Sequence, residues 1–202
     1  MSVYQTLAQP ATAEIEILHS RFIASGTAID SPKAAESFLA EIRQQHPDAN
    51  HHCYAFQLLD PPLSERFSDD GEPNGTAGRP ILTVLSHQLS NTIIVVTRYF
   101  GGTKLGKGGL VKAYTQAAQA LLTSAEKVTR EPMSWLQLHY PYPLDGSLSH
   151  WLQQHQLTAE KDYSEAVSAR VYVPTRLLPA LQGQLQEWQG QGLRWENLDA
   201  AS

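Results

Sequence analysis

The chain is poor in cysteine. Cys53 is its sole thiol, which excludes an internal disulfide framework and any zinc cage built from several cysteines. No apolar run approaches the roughly 18 residues of a membrane span, so no spanning helix is expected. The opening stretch, MSVYQTLAQPATAE, lacks a basic region followed by an apolar one. No secretory leader is therefore expected, and the cytoplasm is the natural compartment. Charge is sparse as well: charged residues make up 17% of the chain, and the net charge is −5 at pH 7. That balance argues against an indiscriminate basic grip on nucleic acid. Apolar residues make up 42% of the 202, enough to bury a core in one large domain or two small ones.

The charge that is present is segregated. Residues 98–130 carry Arg98, Lys104, Lys107, Lys112, Lys127 and Arg130 against Glu126 alone. Residues 60–78 carry Asp60, Glu65, Asp69, Asp70 and Glu72 against Arg66 alone, and the chain from 131 onward is acidic. Specific placement of a phosphate backbone on the basic stretch stays open.

The basic stretch contains the most informative motif. TIIVVTRYF reads as a buried strand, GGTKLGKGG as a loop, and LVKAYTQAAQALL as a helix. Such a loop offers backbone N–H groups and the positive end of a helix dipole, a natural anion site. Gly101, Gly106 and Lys107 satisfy the G-x-x-x-x-G-K spacing of a P-loop, but the magnesium-holding Ser or Thr is replaced by Gly108. Anion binding without hydrolysis is one reading. The other is that Gly101, Gly102, Gly106, Gly108 and Gly109 only permit tight turning and close packing. Lys104 and Lys107 beside the glycines are more than packing usually needs, and both readings stay open, with Lys112 following in the helix.

Around this motif stand further candidates. Arg98 and Tyr99 end the strand just before the loop, where α/β folds place ligands. Arg98 is read either as a phosphate clamp or as half of a structural ion pair. Tyr99 and Phe100 would stack a base or simply close the core edge. Arg79, after the flexible GTAG, is a further phosphate contact or a decoration of a helix start. Asp69, Asp70 and Glu72 crowd three carboxylates into four residues. They would suit a hydrated divalent cation beside a phosphate or supply a general base, but Asp-Gly and Glu-Pro are also ordinary turn chemistry. Apart from that cation, no cofactor is expected. His51 and His52 adjoin Cys53, and alternation allows only one of the two to face a shared site. Cys53 itself reads as a small core residue.

The chain divides near residue 130, into 1–130 and 131–202, with an α+β fold class. In the first part, Ile15 and Ile17 followed by the extended run 22–29 suggest a hairpin or one long bent strand. Ser31-Pro32 starts a helix that His46-Pro47 stops. Residues 53–59 read as a strand, 60–78 as a long loop, and Arg79-Pro80 as the start of a short helix. Leu110, Val111, Tyr114, Ala117, Ala118, Leu121 and Leu122 form one stripe of period 3.6. In the second part the order is β-α-β-β-α-β, the split βαβ sandwich of ferredoxin-like folds. Trp135, Trp151, Trp188 and Trp195 all lie there and read as core.

FSDDGEPNGTAGRPIL (67–82) followed by VVTRYFGGTKLGKGGLVKAY (95–114) resembles the signature of the IMPACT family, bacterial YigZ type. SRFIA (20–24) and HHCYAF (51–56) resemble its earlier blocks, although His19 stands where lysine often precedes the serine. The resemblance is specific over roughly 20–122. It implies an N-terminal domain like the second domain of ribosomal protein S-five and a C-terminal domain like the last domain of elongation factor G. It also implies contact with RNA or the translation apparatus, and it adds Arg21 and His52 as secondary candidates. Two readings follow. One is a non-enzymatic protein binding RNA or a ribosome-associated factor through the glycine loop, with a role in regulating translation. The other is a metal-assisted enzyme on a nucleotide or phosphorylated small molecule. A protein partner is a third, blander option. The lack of a coherent nucleophile–base–orienter set favours binding.

Overall fold

The structure is a computed structural model that describes residues 3–59 and 63–198. It divides into two compact units, Tyr4–Arg130 and the segment from Glu131 onward. The first unit runs β1 (Tyr4–Leu7), β2 (Ala11–Ile17), β3 (Ser20–Ala28), α1 (Pro32–Gln45), β4 (His51–Leu58), β5 (Ser64–Ser68), α2 (Gly78–Ser86), β6 (Thr92–Tyr99), α3 (Gly106–Ser124) and β7 (Lys127–Arg130).

Local signals explain many of these elements. The stretch from Ile15 to Ile29 forms a hairpin: β2 and β3 pair antiparallel, and Leu18 and His19 turn the chain with positive φ. Ser31 caps α1, its Oγ accepting from Ala34 N at 3.2 Å, and Pro32 opens the first turn, where no N–H is needed. Helix α3 buries Leu110, Ala113, Tyr114, Ala117, Ala118, Leu121 and Leu122 along one stripe, whereas Val111, expected in that stripe, is exposed. Each large apolar side chain so buried contributes about 2 kcal/mol relative to exposure.

Three elements depart from the sequence expectation. The loop expected over 60–78 contains β5, which pairs with β4; residues 60–62 lie outside the described residues. Strand β5 is a half-exposed edge whose sequence, SERFS, has no apolar alternation to announce it. Strands β1 and β7, expected as neither strand nor helix, form a two-stranded antiparallel pair, Tyr4 opposite Arg130. Their pairing joins segments more than a hundred residues apart, so no local pattern reports it.

The main sheet of this unit is antiparallel in the order β2-β3-β6-β4-β5. Strand alternation sends Phe22, Ala24, Cys53, Ala55, Ile94 and Val96 to the face covered by α2 and α3. It sends Phe56, Leu58, Ile93 and Val95 to the face covered by α1.

The second unit runs β8 (Met133–Tyr140), a 3₁₀ turn at Tyr142–Leu144, α4 (Asp145–Gln154), β9 (Ala159–Tyr163), β10 (Val167–Pro174), a 3₁₀ turn at Thr175–Leu177, α5 (Leu178–Gln189) and β11 (Arg194–Asn197). Its antiparallel sheet has the order β11-β8-β10-β9, and α4 and α5 pack their apolar faces on Leu136, Leu138, Ala169, Val171 and Val173. Helices thus lie on antiparallel sheets in both units, an α+β arrangement. One expectation is corrected here. Trp135 does not join that core: it stacks on the 45%-exposed Tyr172 at 4.7 Å, with Arg170 over its ring. The parity of β8 places Trp135 on the other face from Leu136, away from the helices.

Candidate functional site

The site grows from the C-terminal end of β6. Arg98 is two residues beyond Val96, so alternation puts it on the α2/α3 face with Phe22 and His51, its cross-strand neighbours. There its side chain is 6% exposed. Nη1 donates to Glu72 Oε1 at 2.6 Å, and Nη2 reaches Ser20 Oγ at 3.5 Å. The guanidinium lies 5.4 Å from the ring centres of both Phe22 and Phe100. Among the described residues its Nε has no hydrogen-bond partner. Of the two sequence readings of Arg98, the ion pair is the one formed, and it is formed with Glu72.

Glu72 is the focus of a small buried network. Its side chain is 4% exposed, and Oε1 also accepts from Tyr114 Oη on α3 at 2.7 Å. Tyr114 in turn accepts from the Cys53 thiol at 3.4 Å. Burial pushes the Tyr114 and Cys53 pKa values well up, so both protons stay in place. His51 completes the group. Its Nδ1 meets the Asp70 carbonyl at 2.8 Å and must be the donor, since a carbonyl only accepts. In the neutral ring this leaves Nε2 as an acceptor, 3.9 Å from Glu72 Oε1.

The other two carboxylates of the acidic loop serve the backbone. Asp69 Oδ1 accepts from Ala77 N and Gly78 N, each at 2.9 Å, and Oδ2 from Gly75 N at 2.8 Å. It thereby satisfies N–H groups at the start of α2, where the formal cap, Ala77, has no side-chain acceptor. Asp70, at φ 43°, accepts from His52 N at 2.6 Å and from Arg43 Nη2 at 3.0 Å. Among the described residues, no three His, Cys, Asp or Glu side chains are grouped to hold a metal ion. Of the three carboxylates, Glu72 alone lines the cleft described next.

That cleft has a volume of about 430 Å³ and is lined by residues that include Asn50, His51, Glu72, Arg98, Phe100, Lys104 and Lys107. The glycine loop forms one side. Gly102 and Gly106 have φ of 86° and 69°, the left-handed region where glycine is unstrained. The N-terminus of α3 has no side-chain cap and no acidic residue in its first turn. Its positive dipole end is therefore uncompensated. Lys104 and Lys107 are exposed, and neither forms an ion pair among the described residues. Asn50 Oδ1 accepts from Phe100 N at 2.7 Å and holds the loop entry.

The remaining sequence candidates lie elsewhere. Arg21 and Tyr99 sit on the opposite face: Arg21 forms a two-pronged pair with Glu14 at 2.8 and 3.0 Å, and Tyr99 Oη meets His46 Nδ1 at 3.0 Å. His52 is on that face too, its Nε2 donating to the His46 carbonyl at 3.2 Å. So His51, not His52, is the histidine of the cleft. Arg79 stacks over Phe67 of β5, and exposed Lys112 lies further along α3; neither lines the cleft. Sequence reasoning missed Asn50 and Tyr114 as site residues. It had the signal for His51, since a buried Cys53 and Ala55 fix the parity of that strand.

Two groups here give a pH dependence. Burial lowers the His52 pKa below its ordinary 6.5, outweighing the pull of Asp70. Burial alone would raise Asp69, but the N–H groups of Gly75, Gly78 and Ala77 outweigh it and hold the pKa below 3.8. Both folded-state values are depressed, so both contributions are complete above the unfolded pKa and are lost as pH falls. The urea midpoint is expected to decline first below pH 6.5, through His52, and again below pH 3.8, through Asp69. His52→Gln should remove the first decline; a flat midpoint from pH 7 to 5 in the parent chain contradicts the assignment.

Residues 18–122 match the Impact N-terminal domain family. IMPACT family member YvyE of Bacillus subtilis is 38% identical, covering 84% of this chain and 79% of its own. IMPACT family member YigZ of Escherichia coli is 36% identical over 90% of this chain and 91% of its own. A crystal structure of a hypothetical protein is similar throughout, with 33% identity, a TM-score of 0.70, and 96% of this chain and 97% of that one covered.

Proposed function

The chain belongs to the IMPACT family, and from that premise we propose that it is a non-enzymatic binding protein that contacts RNA or a ribosome-associated factor and so regulates translation. The phosphate-holding element is the loop 101–109 with Lys104, Lys107 and, further along α3, Lys112. The observation that carries this reading is the N-terminus of α3, uncapped by any side chain and flanked by Lys104 and Lys107, which line a cleft and form no ion pair among the described residues. Positive charge is concentrated there in a chain whose net charge is −5. The sheet order β11-β8-β10-β9 of the second unit suits a ferredoxin-like fold, and the first unit is read as S-five-like; these are analogies of fold with proteins of the translation apparatus and give no function by themselves. Binding is favoured over metal-assisted turnover because Asp69 and Asp70 are engaged by backbone N–H groups. No helix among the described residues is long and apolar enough to cross a membrane.

Fluorescence anisotropy with labelled single-stranded RNA, duplex RNA, DNA and purified ribosomal subunits across a salt series tests the reading. RNA should bind in a salt-sensitive way. The Lys104→Glu/Lys107→Glu variant should bind at least about tenfold more weakly, with the slope of log K against log salt reduced by about 1.4 for two lost single-strand contacts. Equal binding by the variant, or no binding to RNA or to the subunits at low salt, rejects it.

A further inference from the structure

We propose that the cleft beside α3 takes one unstacked nucleotide bearing a phosphate, rather than the body of a nucleic-acid backbone. This rests on the phosphate-binding reading of the glycine loop and specifies its ligand. Four observations support it. First, the site is concave, and its volume of about 430 Å³ is of the size that encloses a small ligand rather than a flat strip along which a duplex would lie. Second, its lining carries Arg98, Lys104 and Lys107 against Glu72 alone, a cationic excess matched to a phosphate. Third, Arg98 is 5% exposed and lines the cleft, and among the described residues its buried Nε has no acceptor. That unmet donor is independent of the α3 terminus. Fourth, the remaining wall is apolar and aromatic: Phe100, 45% exposed, with Leu105 and Leu110.

These features divide the ligand. The phosphate sits at the free N–H groups of the first turn of α3, between Lys104 and Lys107. The base lies on the exposed face of Phe100, as bases stack on aromatic side chains in single-strand sites. The polar groups nearby are placed to meet a base edge. Asn50 Oδ1 is taken by Phe100 N, which leaves its Nδ2 to donate. His51 Nδ1 is taken by the Asp70 carbonyl, which in the neutral ring leaves Nε2 to accept. A base within a duplex would have its edge paired and its faces stacked, and would reach none of these groups.

A free nucleotide and the phosphorylated end of an RNA chain share this chemistry, and the test separates them. The full chain is titrated calorimetrically with the four nucleoside 5′-monophosphates, the four nucleosides, inorganic phosphate, and a short single-stranded RNA with either a 5′-phosphate or a 5′-hydroxyl. At least one monophosphate should bind, roughly tenfold or more tightly than its nucleoside or phosphate alone. Phe100→Ala should weaken nucleotide binding roughly tenfold while leaving the weak phosphate binding in place; an unchanged thermal midpoint of the variant separates that loss from misfolding. Tighter binding of the 5′-phosphorylated RNA than of the monophosphate assigns the chain end, and the reverse assigns the free nucleotide. If RNA binds but no monophosphate does, the nucleotide cleft is rejected while the loop's role in RNA binding stands. If nothing binds, both fall.

Discussion

Glu72→Ala is expected to destabilise the first unit by about 3–5 kcal/mol, the cost of leaving a buried partner charge uncompensated. Among the described residues, Arg98 would keep one weak hydrogen bond, to Ser20 Oγ at 3.5 Å, for a guanidinium that is almost wholly enclosed. Tyr114 would lose its acceptor at the same time, and a buried hydroxyl without a partner adds to the penalty. Urea denaturation of the purified variant measures it. A double-mutant cycle with Arg98→Met separates the pair from the packing: with both ends made apolar, most of the loss should be recovered. A change below about 1 kcal/mol for Glu72→Ala, which is what a surface pair would give, contradicts the buried-pair assignment. Glu72→Gln belongs beside it. The amide oxygen can still accept from Tyr114, so its cost reports mainly on the missing charge.

Gly101→Ala is expected to be nearly as damaging, about 3 kcal/mol or more. A Cβ at this position would lie 2.1 Å from the carbonyl carbon and oxygen of His19 and 2.5 Å from Ser20 N. The obstacle is the backbone of the β2–β3 turn, so no rotamer change relieves it. The hairpin or the loop has to move. Gly101 N also donates to Ser20 Oγ at 3.1 Å, and Ser20 is the residue that reaches Arg98, so displacement spreads to the floor of the cleft. Gly102→Ala is the control. Its Cβ would meet nothing within 4 Å, and only the positive φ of 86° opposes it, at about 1 kcal/mol. Thermal or urea unfolding of the two variants should therefore rank Gly101 well above Gly102. Equal costs would mean that loop conformation, not the close approach to His19, governs this position.

Much of the fold was legible because its signals are local. Ser31 and Pro32 start α1, the stripe from Leu110 to Leu122 defines α3, and alternation over residues 136–140 defines β8. Strand β5 was not legible, because an exposed edge has no buried face to leave a period in the sequence. Strands β1 and β7 were not legible either, because four residues at each end of the unit acquire their pairing only from each other. Trp135 reads as core from its spacing in a strand, whereas its parity in β8 points it away from α4 and α5.

At the site, the parts of the proposed anion-binding element are plain in the amino acids alone: glycines that permit the turn, lysines beside it, and a helix whose first turn carries no acid to neutralise its dipole. The crowding of Asp69, Asp70 and Glu72 within one loop, and of His51 and His52 at the head of one strand, is likewise plain in the chain. Which of these residues face the cleft is a matter of the fold. Proximity in sequence sets the spacing of side chains, but their direction depends on the strand order and on which sheet face the helices cover. Asp69 and Asp70 are turned to backbone donors by the path of their own loop, whereas Glu72 is drawn inward by Arg98 and Tyr114, residues 26 and 42 positions away. A buried charge must find its counter-charge wherever the fold places it, and that partner cannot be read from neighbours in the chain.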